Sequence, residues 1–454
     1  MKTLINQMGV LSLVLSKQSL KNTEYKFLKY VSKLSFEDGL LLYNMLTGEL
    51  LFLDKQEEKL ITSGTKVYNY LVENWFLVPD SFDDMKFIKQ IEDSVMSIKK
   101  IYSAPKYSTF TILPTTDCNA RCFYCFELGC KHIYMNDSTA HDVAEYIINK
   151  KNDGKIKIRW FGGEPLCNTK AIDIICSDLK KNNVDFTSTM VSNSYLFDEE
   201  LIKHAKEHWH LTMVQVTLDG TEDVYNKVKN YIYKDEVSPF KRVLNNIKQL
   251  LEAGIIAKIR LNIDLHNSED LFVLTDELLN KFKDYENFWV YPHTLYENSC
   301  DEVKQQTIDD IIALEKKCNQ LYDLIKLYNK HKKSERLVIA SRGLTKCIAD
   351  SDTAVLILPN GKLGKCEHHT DDHFIGSIYS DKIDINMLNS FKERVLVWDE
   401  CFDCELRPMC YHLKECTNRD KLCYEDKKRR KIEGINKEML TVYENYKKEL
   451  NDKI

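Results

Sequence analysis

The chain has 454 residues, of which 43% are hydrophobic, enough to fill the cores of roughly two to four globular domains. Its 64 basic and 69 acidic side chains leave a net charge of −5, which gives no basic footprint for nucleic acid and no polybasic membrane signal. The apolar run at residues 9–15 is short, and no segment approaches the roughly 18 apolar residues of a membrane span. Fifteen cysteines without a secretion signal favour metal ligation over disulfides, so we expect a cytoplasmic protein without nucleic-acid or membrane partners.

Residues 1–95 are predicted to form a separate small α+β unit. Residues 40–53 read as a β-hairpin with its turn near Thr47-Gly48, and helices follow at about 55–63, 66–75 and 82–100. A sheet edge beside a helix can bind an extended peptide as an extra strand. A structural cap on the next domain explains the same pattern, and both interpretations stay open.

Residues 96–300 are predicted to hold an α/β domain in which apolar strands alternate with amphipathic helices. Strands are predicted at residues 109–115, 157–162, 185–193, 212–220, 257–264 and 287–293. Helices are predicted near 138–151, 169–183, 198–208, 239–254 and 268–284. Six β/α units in series predict a parallel sheet closed as a partial, TIM-like (β/α)6 barrel, with its chemistry at the carboxyl ends of the strands.

Cys118, Cys122 and Cys125 lie in a Cys-x3-Cys-x2-Cys loop directly after the first predicted barrel strand. Three thiolates at this spacing can hold three irons of a [4Fe–4S] cube and leave the fourth iron open to a substrate. A Gly-Gly-Glu-Pro turn at residues 162–165 follows the second strand and therefore belongs to the same edge of the sheet. The alternative is a zinc loop, because Cys-x2-Cys also suits zinc.

The cysteine loop, with Tyr124 before its last cysteine, and the turn at residues 162–165 resemble the radical S-adenosylmethionine (SAM) enzymes. In that family the open iron binds the amino and carboxylate groups of SAM, and an electron, supplied by a ferredoxin or flavodoxin, releases a 5′-deoxyadenosyl radical. The positions that the resemblance places around SAM are Tyr124, Gly162, Gly163, Glu164, Pro165, Ser192, Thr217, Lys229 and Arg260.

Two of these positions carry a second interpretation. Lys229 stands where relatives often have arginine, and a lysine lacks the bidentate fork for a carboxylate. Arg260 and Asn262 alternate on the fifth strand so that both would point into the barrel, where an internal salt bridge is as good an explanation as a cofactor contact. Cys130 and Cys167 match no ligand position and are predicted to be structural.

Residues 301–346 are predicted to form a helical bridge. Its apolar face recurs at gaps of three and four residues, at Ile311, Leu314, Cys318, Leu321, Ile325 and Tyr328. We therefore expect Cys318 in the core rather than at a metal. The basic stretches at residues 330–333 and 426–431 are predicted to be solvated faces.

Seven cysteines follow within residues 347–454, and their order resembles the SPASM domain, a C-terminal extension of many radical SAM enzymes that carries up to two auxiliary [4Fe–4S] clusters. By this resemblance a closed cluster is held by Cys401, Cys404, Cys410 and Cys423, and a second cluster by Cys347, Cys366 and Cys416. Together with SAM, the implied cofactors are thus three [4Fe–4S] clusters.

The second auxiliary cluster departs from the family pattern. Five residues separate Cys410 from Cys416 where relatives have three, and no further cysteine comes just before Cys347. One iron would then lack a protein thiolate and would take a side chain or a substrate thiolate; the side-chain candidates are His368, His369 and Asp350. Zinc is the rival, because these histidines, His373 and the Cys-x2-Cys at residue 401 also suit that metal.

The resemblance implies a peptide maturase whose substrate is a ribosomally made precursor peptide with a leader. A primary carbon radical can remove hydrogen from an unactivated carbon, and the auxiliary clusters would accept the electron left as the product forms. A cysteine-to-carbon thioether is the first expectation. The alternatives are carbon–carbon or carbon–oxygen crosslinks, formylglycine formation in a sulfatase, and a zinc-stabilised peptide-binding protein without catalysis.

Overall fold

The computed structural model describes residues 1–6, 16–100, 106–233, 236–295, 308–328, 347–410, 412–417, 423 and 425–451. The apolar run at residues 9–15, the basic stretch at 330–333 and much of the predicted bridge lie outside these residues. The chain divides into two compact units, one of residues 1–102, 334–350 and 389–454 and one of residues 103–333 and 351–388. Within the described residues, no helix has both the length and the apolar composition to cross a bilayer.

The first unit begins with an α+β fold that agrees with the predicted hairpin and helices. Its elements are β1 (Lys2–Ile5), β2 (Tyr25–Phe27), β3 (Val31–Phe36), β4 (Gly39–Asn44), β5 (Leu50–Asp54), α1 (Lys55–Lys59), α2 (Lys66–Glu73), β6 (Leu77–Pro79) and α3 (Asp84–Lys99). Four strands form an antiparallel sheet in the order β1-β5-β4-β3, and β2 pairs with β6.

The predicted hairpin, now β4 and β5, lies in the centre of this sheet and not at its edge. β4 pairs with β3 and β5 pairs with β1, so the edge strands are β3 and β1. The reason is in the sequence of β4, which is buried at all six positions, because a strand that is apolar on both faces belongs inside a sheet. Any strand addition therefore has to use β3 or β1.

The second unit contains the predicted partial (β/α)6 barrel, which is confirmed. Its elements are β7 (Thr109–Ile112), α4 (Asp137–Lys150), β8 (Ile156–Trp160), α5 (Thr169–Lys181), β9 (Phe186–Ser192), α6 (Glu199–His208), β10 (Leu211–Leu218), α7 (Glu222–Lys229), α8 (Pro239–Glu252), β11 (Ile256–Ile263), α9 (Ser268–Phe282), β12 (Phe288–Thr294) and α10 (Ile308–Tyr328). The six strands are parallel and adjacent in chain order. Helix α7, which leads to Lys229, is the element that the sequence pattern did not predict.

The predicted C-terminal domain, residues 347–454, does not form one unit. Its elements are β13 (Ala354–Ile357), β14 (Lys362–Gly364), β15 (Gly376–Ser377), α11 (Ile385–Lys392), β16 (Arg394–Val395), β17 (His412–Leu413) and α12 (Glu425–Asn451). β13 is apolar at all four positions and pairs in parallel with β7, so that β13–β15 extend the barrel sheet.

The last helix, α12, packs instead on the N-terminal sheet. Ile435, Met439 and Val442 belong to the same buried cluster as β4 and β5. The ring of Tyr443 lies 4.5 Å from that of Phe52. Because this apolar helix face needs a partner surface, residues 389–454 group with the N-terminal residues and not with the barrel.

Candidate functional site

The three loop cysteines follow β7 and are brought together as the spacing predicts. Burial raises the pKa of the Cys125 thiol to about 11 and also raises the pKa values of Cys118 and Cys122. The nearby thiols of Cys122 and Cys125 add to the effect at Cys118, so the three sulfur atoms lie within electrostatic reach of one another. The free thiols are protonated at neutral pH, and a bound metal would take the place of these protons.

The glycines of the predicted turn let it pack against the backbone of this loop. Gly162 has a φ of +116°, and a Cβ there would lie 2.2 Å from the carbonyl oxygen of Thr115. A Cβ at Gly163 would lie 2.2 Å from the carbonyl oxygen of Asp117. The turn is held in place by the backbone N–H of Glu164, which donates to the Asp117 carbonyl at 2.8 Å. Only glycine allows this approach.

Glu164 and Ser192, both predicted to lie around SAM, bind each other. The Glu164 carboxylate is fully buried and accepts hydrogen bonds from the Ser192 hydroxyl at 2.8 Å and from the backbone N–H of Asn193 at 2.8 Å. Burial raises the pKa of Glu164 to about 7. Its side chain thus ties the end of β8 to the end of β9, and Pro165 begins a short 3-10 turn behind it.

A buried charged network occupies the neighbouring strand ends. The Lys229 ammonium lies 2.9 Å from the Asp219 carboxylate and donates to the Thr217 hydroxyl at 2.8 Å and to the Tyr124 hydroxyl at 2.9 Å. Tyr124 in turn donates to Asp219 at 2.8 Å, and the Asn262 amide donates to Asp219 at 2.9 Å. The structure therefore brings together Tyr124, Thr217 and Lys229, three of the positions predicted to lie around SAM.

The pKa values of Lys229 and Tyr124 determine the protonation state of this network. Burial by itself would lower the pKa of Lys229, but the negative charge of Asp219 holds it well above its usual value. Burial, together with that same carboxylate, keeps the pKa of Tyr124 far above its usual value as well. Lys229 is therefore an ammonium and Tyr124 a neutral phenol at physiological pH. An ammonium has three N–H donors, and here they face Asp219, Thr217 and Tyr124.

Two polar residues were not singled out from the sequence, one at this network and one near Cys125. The Asn267 amide donates to the carbonyl oxygens of Asp219 and Asn262, both at 2.8 Å, and so fixes the ends of β10 and β11. Glu127, two residues after Cys125, is 8% exposed, and burial raises the pKa of its carboxyl to about 8. Its position two residues after the last cysteine of the loop was the feature of the sequence that could have identified Glu127.

Arg260 lies on the same face of β11 as Asn262 but outside this network. Its guanidinium contacts the His293 imidazole on β12 at 3.0 Å. Arg260 and Asn262 are two residues apart and share one face of β11, as the predicted alternation requires. Its observed partner is a histidine, whereas a salt bridge or a cofactor contact was expected.

The C-terminal cysteines form groups in the first unit. Burial raises the pKa of the Cys423 thiol, and the neighbouring thiols of Cys404 and Cys410 raise it further. These three sulfur atoms therefore lie close together. Cys401 lies one turn before Cys404, and the Lys431 ammonium reaches the Cys410 sulfur at 3.3 Å. This grouping fits the four cysteines predicted for the closed auxiliary cluster.

Asp350 does not act as the free ligand considered above. Its carboxylate is fully buried, and one oxygen lies 2.8 Å from the Lys99 ammonium while the other accepts the backbone N–H of Cys347 at 2.9 Å. Cys416 lies near enough to raise the pKa of the Cys347 thiol, although burial is the larger cause. Asp350 therefore holds Cys347 in position. Cys366 belongs to the second unit.

The barrel site fits an iron–sulfur cluster with SAM. The donor set is three partly buried cysteines, and the turn at Gly162 and Gly163 packs directly on the backbone of their loop. Two buried oxygens, Asn262 Oδ1 and Glu127 Oε1, have no hydrogen-bond partner among the described residues. Buried polar atoms of this kind are costly without a partner, and a polar ligand would supply one.

Comparisons with known proteins agree with this geometry. Residues 112–279 match the family described as the Radical SAM superfamily. The chain is 21% identical over 323 residues to the radical SAM cyclopropyl synthase TigE of Paramaledivibacter caminithermalis, which covers 61% of this chain and 66% of that protein. The chain thus spans just under two thirds of this relative.

Two solved structures share the fold. A structure titled native anSMEcpe with bound AdoMet and Cp18Cys peptide has a TM-score of 0.56 and 16% identity, and the match covers 74% of this chain and 99% of that one. SuiB of Streptococcus suis bound to precursor peptide SuiA has a TM-score of 0.50 and 16% identity, with coverage of 85% and 94%. At these identities the likeness concerns the fold.

Proposed function

We propose that the chain, whose residues 112–279 match the Radical SAM superfamily, is a radical SAM enzyme that modifies a ribosomally made peptide. The observation that carries the proposal is the convergence of three partly buried cysteines and a buried polar network at the carboxyl ends of the barrel strands. Bound there, the cluster and SAM supply a carbon radical able to take hydrogen from an unactivated carbon. The formation of a cysteine-to-carbon thioether is the reaction that we favour.

The residues proposed to hold the cofactors divide by role. Cys118, Cys122 and Cys125 would bind three irons, and the backbone of Gly162 and Gly163 would face the amino end of SAM. Glu164 and Ser192 shape that turn through their mutual hydrogen bond. Thr217, Tyr124 and Lys229 line the neighbouring strand ends, and their network would help to keep water away from the reacting carbon.

The C-terminal cysteines are proposed to bind the auxiliary clusters. A thioether has two hydrogen atoms fewer than the thiol and carbon from which it forms, so the enzyme needs an electron acceptor. Support comes from the grouping of Cys404, Cys410 and Cys423 and from the placement of Cys347 by Asp350. Cys366 and Cys416 complete the predicted set.

A peptide substrate is supported by the two solved structures described above, both of which contain a peptide. We propose that a leader segment adds to β3, an edge strand of the N-terminal sheet. A ferredoxin or flavodoxin would deliver the electron. Because the relative TigE is a cyclopropyl synthase, carbon–carbon bond formation is the second candidate.

Anaerobic co-expression with cysteine-containing precursor peptides from neighbouring reading frames, followed by mass spectrometry, tests the proposal. Both reactions remove two hydrogen atoms from the peptide. Alkylation with iodoacetamide separates them, because a thioether uses up a thiol whereas a carbon–carbon bond leaves every thiol reactive. Unchanged peptide mass with each of these substrates, in the presence of SAM and a reductant, would contradict peptide modification.

A further inference from the structure

The loop between β14 and β15 carries a cluster of side chains that the radical chemistry does not use. His369, Asp372 and His373 each offer one ligand atom, and these atoms all lie within 4.8 Å of one another. His369 Nδ1 is 3.1 Å from Asp372 Oδ1, and His373 Nδ1 is 2.6 Å from the same oxygen. We propose that these three residues bind a divalent transition metal ion, and we take Zn²⁺ as its probe.

The backbone of the loop is shaped to bring the three side chains together. The backbone N–H of His369 donates to the Cys366 carbonyl at 3.2 Å, which closes a turn. His373 has a φ of +54°, a left-handed conformation that residues other than glycine seldom adopt. This conformation turns its ring back toward His369, and the two ring centres lie 4.2 Å apart.

The donor set selects the kind of ion. Two imidazole nitrogens and one carboxylate oxygen suit zinc and its neighbours among the divalent transition ions. In a tetrahedral site with bonds of about 2.0–2.1 Å, ligand atoms lie about 3.3 Å apart, so only small adjustments of the side chains are needed. The Asp372 side chain is 63% exposed, which gives the ion a path of entry and leaves room for water as a further ligand.

An ion at this site would fix a loop that touches the radical site. His368 packs on the ring of Phe126, with 4.3 Å between ring centres, and Phe126 directly follows Cys125. On the same loop, Thr370 and Asp371 hydrogen-bond to the thiol of Cys130. The loop also carries Cys366. A metal would thus fix Cys366 and the segment after Cys125 in their positions, which is a structural role that does not depend on the identity of the substrate.

X-ray absorption at the zinc edge tests the proposal without interference from iron. The holoprotein, with its iron–sulfur clusters assembled, is equilibrated with Zn²⁺ and then dialysed. Zinc bound by nitrogen and oxygen shows bonds of about 2.0–2.1 Å, whereas zinc bound by cysteine shows bonds of about 2.3 Å. We expect one zinc ion per chain with nitrogen and oxygen ligands only. No retained zinc, or zinc with sulfur ligands, would overturn the proposal.

Variants assign the ion to these residues. His369→Ala/His373→Ala is expected to lose the zinc, and His141→Ala, which removes a histidine beside a single carboxylate, Asp178, is expected to retain it. Asp372→Asn changes an exposed side chain and should lower zinc retention while the iron content stays at the wild-type value. Zinc that persists in Asp372→Asn and in the double variant would refute the site. If the double variant lost iron but kept zinc, the histidines would instead be ligands of an iron–sulfur cluster.

Discussion

The ammonium of Lys229 lies 2.9 Å from the carboxylate of Asp219, and the two side chains are 2% and 0% exposed. With Thr217 and Tyr124 as its other partners, Lys229 holds the cysteine loop against the end of β10. The resemblance placed Lys229 next to SAM. The observed contacts also make it a support for Tyr124, which directly precedes Cys125.

A double-mutant cycle measures this support. Lys229→Met leaves the buried Asp219 charge without its ion pair, and Asp219→Asn does the same to Lys229, so each should lower the free energy of unfolding by about 3–5 kcal/mol. The double variant should lose less than the sum of both. Urea denaturation of the metal-free protein, without SAM, is the measurement. A residue that only contacts SAM would leave these midpoints unchanged.

The cysteine loop gives the most direct test of the barrel site. Replacing Cys118, Cys122 and Cys125 together with alanine should abolish the reductive cleavage of SAM, because no cluster can bind there, while the C-terminal cysteines still bind iron. Product 5′-deoxyadenosine is measured by chromatography. Cys130→Ala is the matched control, since it removes a nearby thiol outside the motif, and it should retain cleavage. Wild-type cleavage in the triple variant would refute the assignment.

Glu127 should make the metal-free protein less stable as the pH rises. Burial raises the pKa of its carboxyl from 4.5 to about 8, so the fold favours the protonated form. This stabilisation is complete below pH 4.5 and is lost as the pH rises through about 8. Glu127→Gln, which cannot ionise, should flatten that part of the stability profile, as followed by urea midpoints across this range. If the urea midpoints of both proteins changed equally with pH, burial would not be raising the pKa of Glu127.

Strand β3 offers a test of leader binding that leaves the fold intact. Removing the N-terminal residues would expose the apolar face of α12, so a point substitution is cleaner. Lys33 is exposed on β3 and lies opposite Leu42 of β4. Hydrogen-bonded and non-hydrogen-bonded pairs alternate from the turn that joins Phe36 to Gly39, and Lys33 and Leu42 form a non-hydrogen-bonded pair. The backbone N–H of Lys33 therefore points away from β4, toward the open edge of the sheet. Lys33→Pro removes that donor and should weaken peptide binding several-fold in calorimetry. Lys33→Ala should bind normally; equal binding by both variants would favour the structural cap.

Local spacing was enough to predict the barrel and the grouping of the three cysteines in one loop. Alternating apolar strands and helices permit one simple arrangement, a parallel sheet in chain order, and the edge at which its loops meet follows from that arrangement. Three residues separate Cys118 from Cys122 and two separate Cys122 from Cys125, so one short loop brings the three cysteines together whatever surrounds it. These features depend on residues that are close along the chain.

Only the tertiary structure decided which side chains meet across the chain. Asp219 faces Lys229 because helix α7 turns back toward β10, and Glu164 faces Ser192 because β8 and β9 end side by side. In the same way α12 covers the N-terminal sheet although some 370 residues separate it from β5. Such partners are selected by the burial of apolar faces and by the cost of unpaired charge, and these depend on the complete packing rather than on any local pattern.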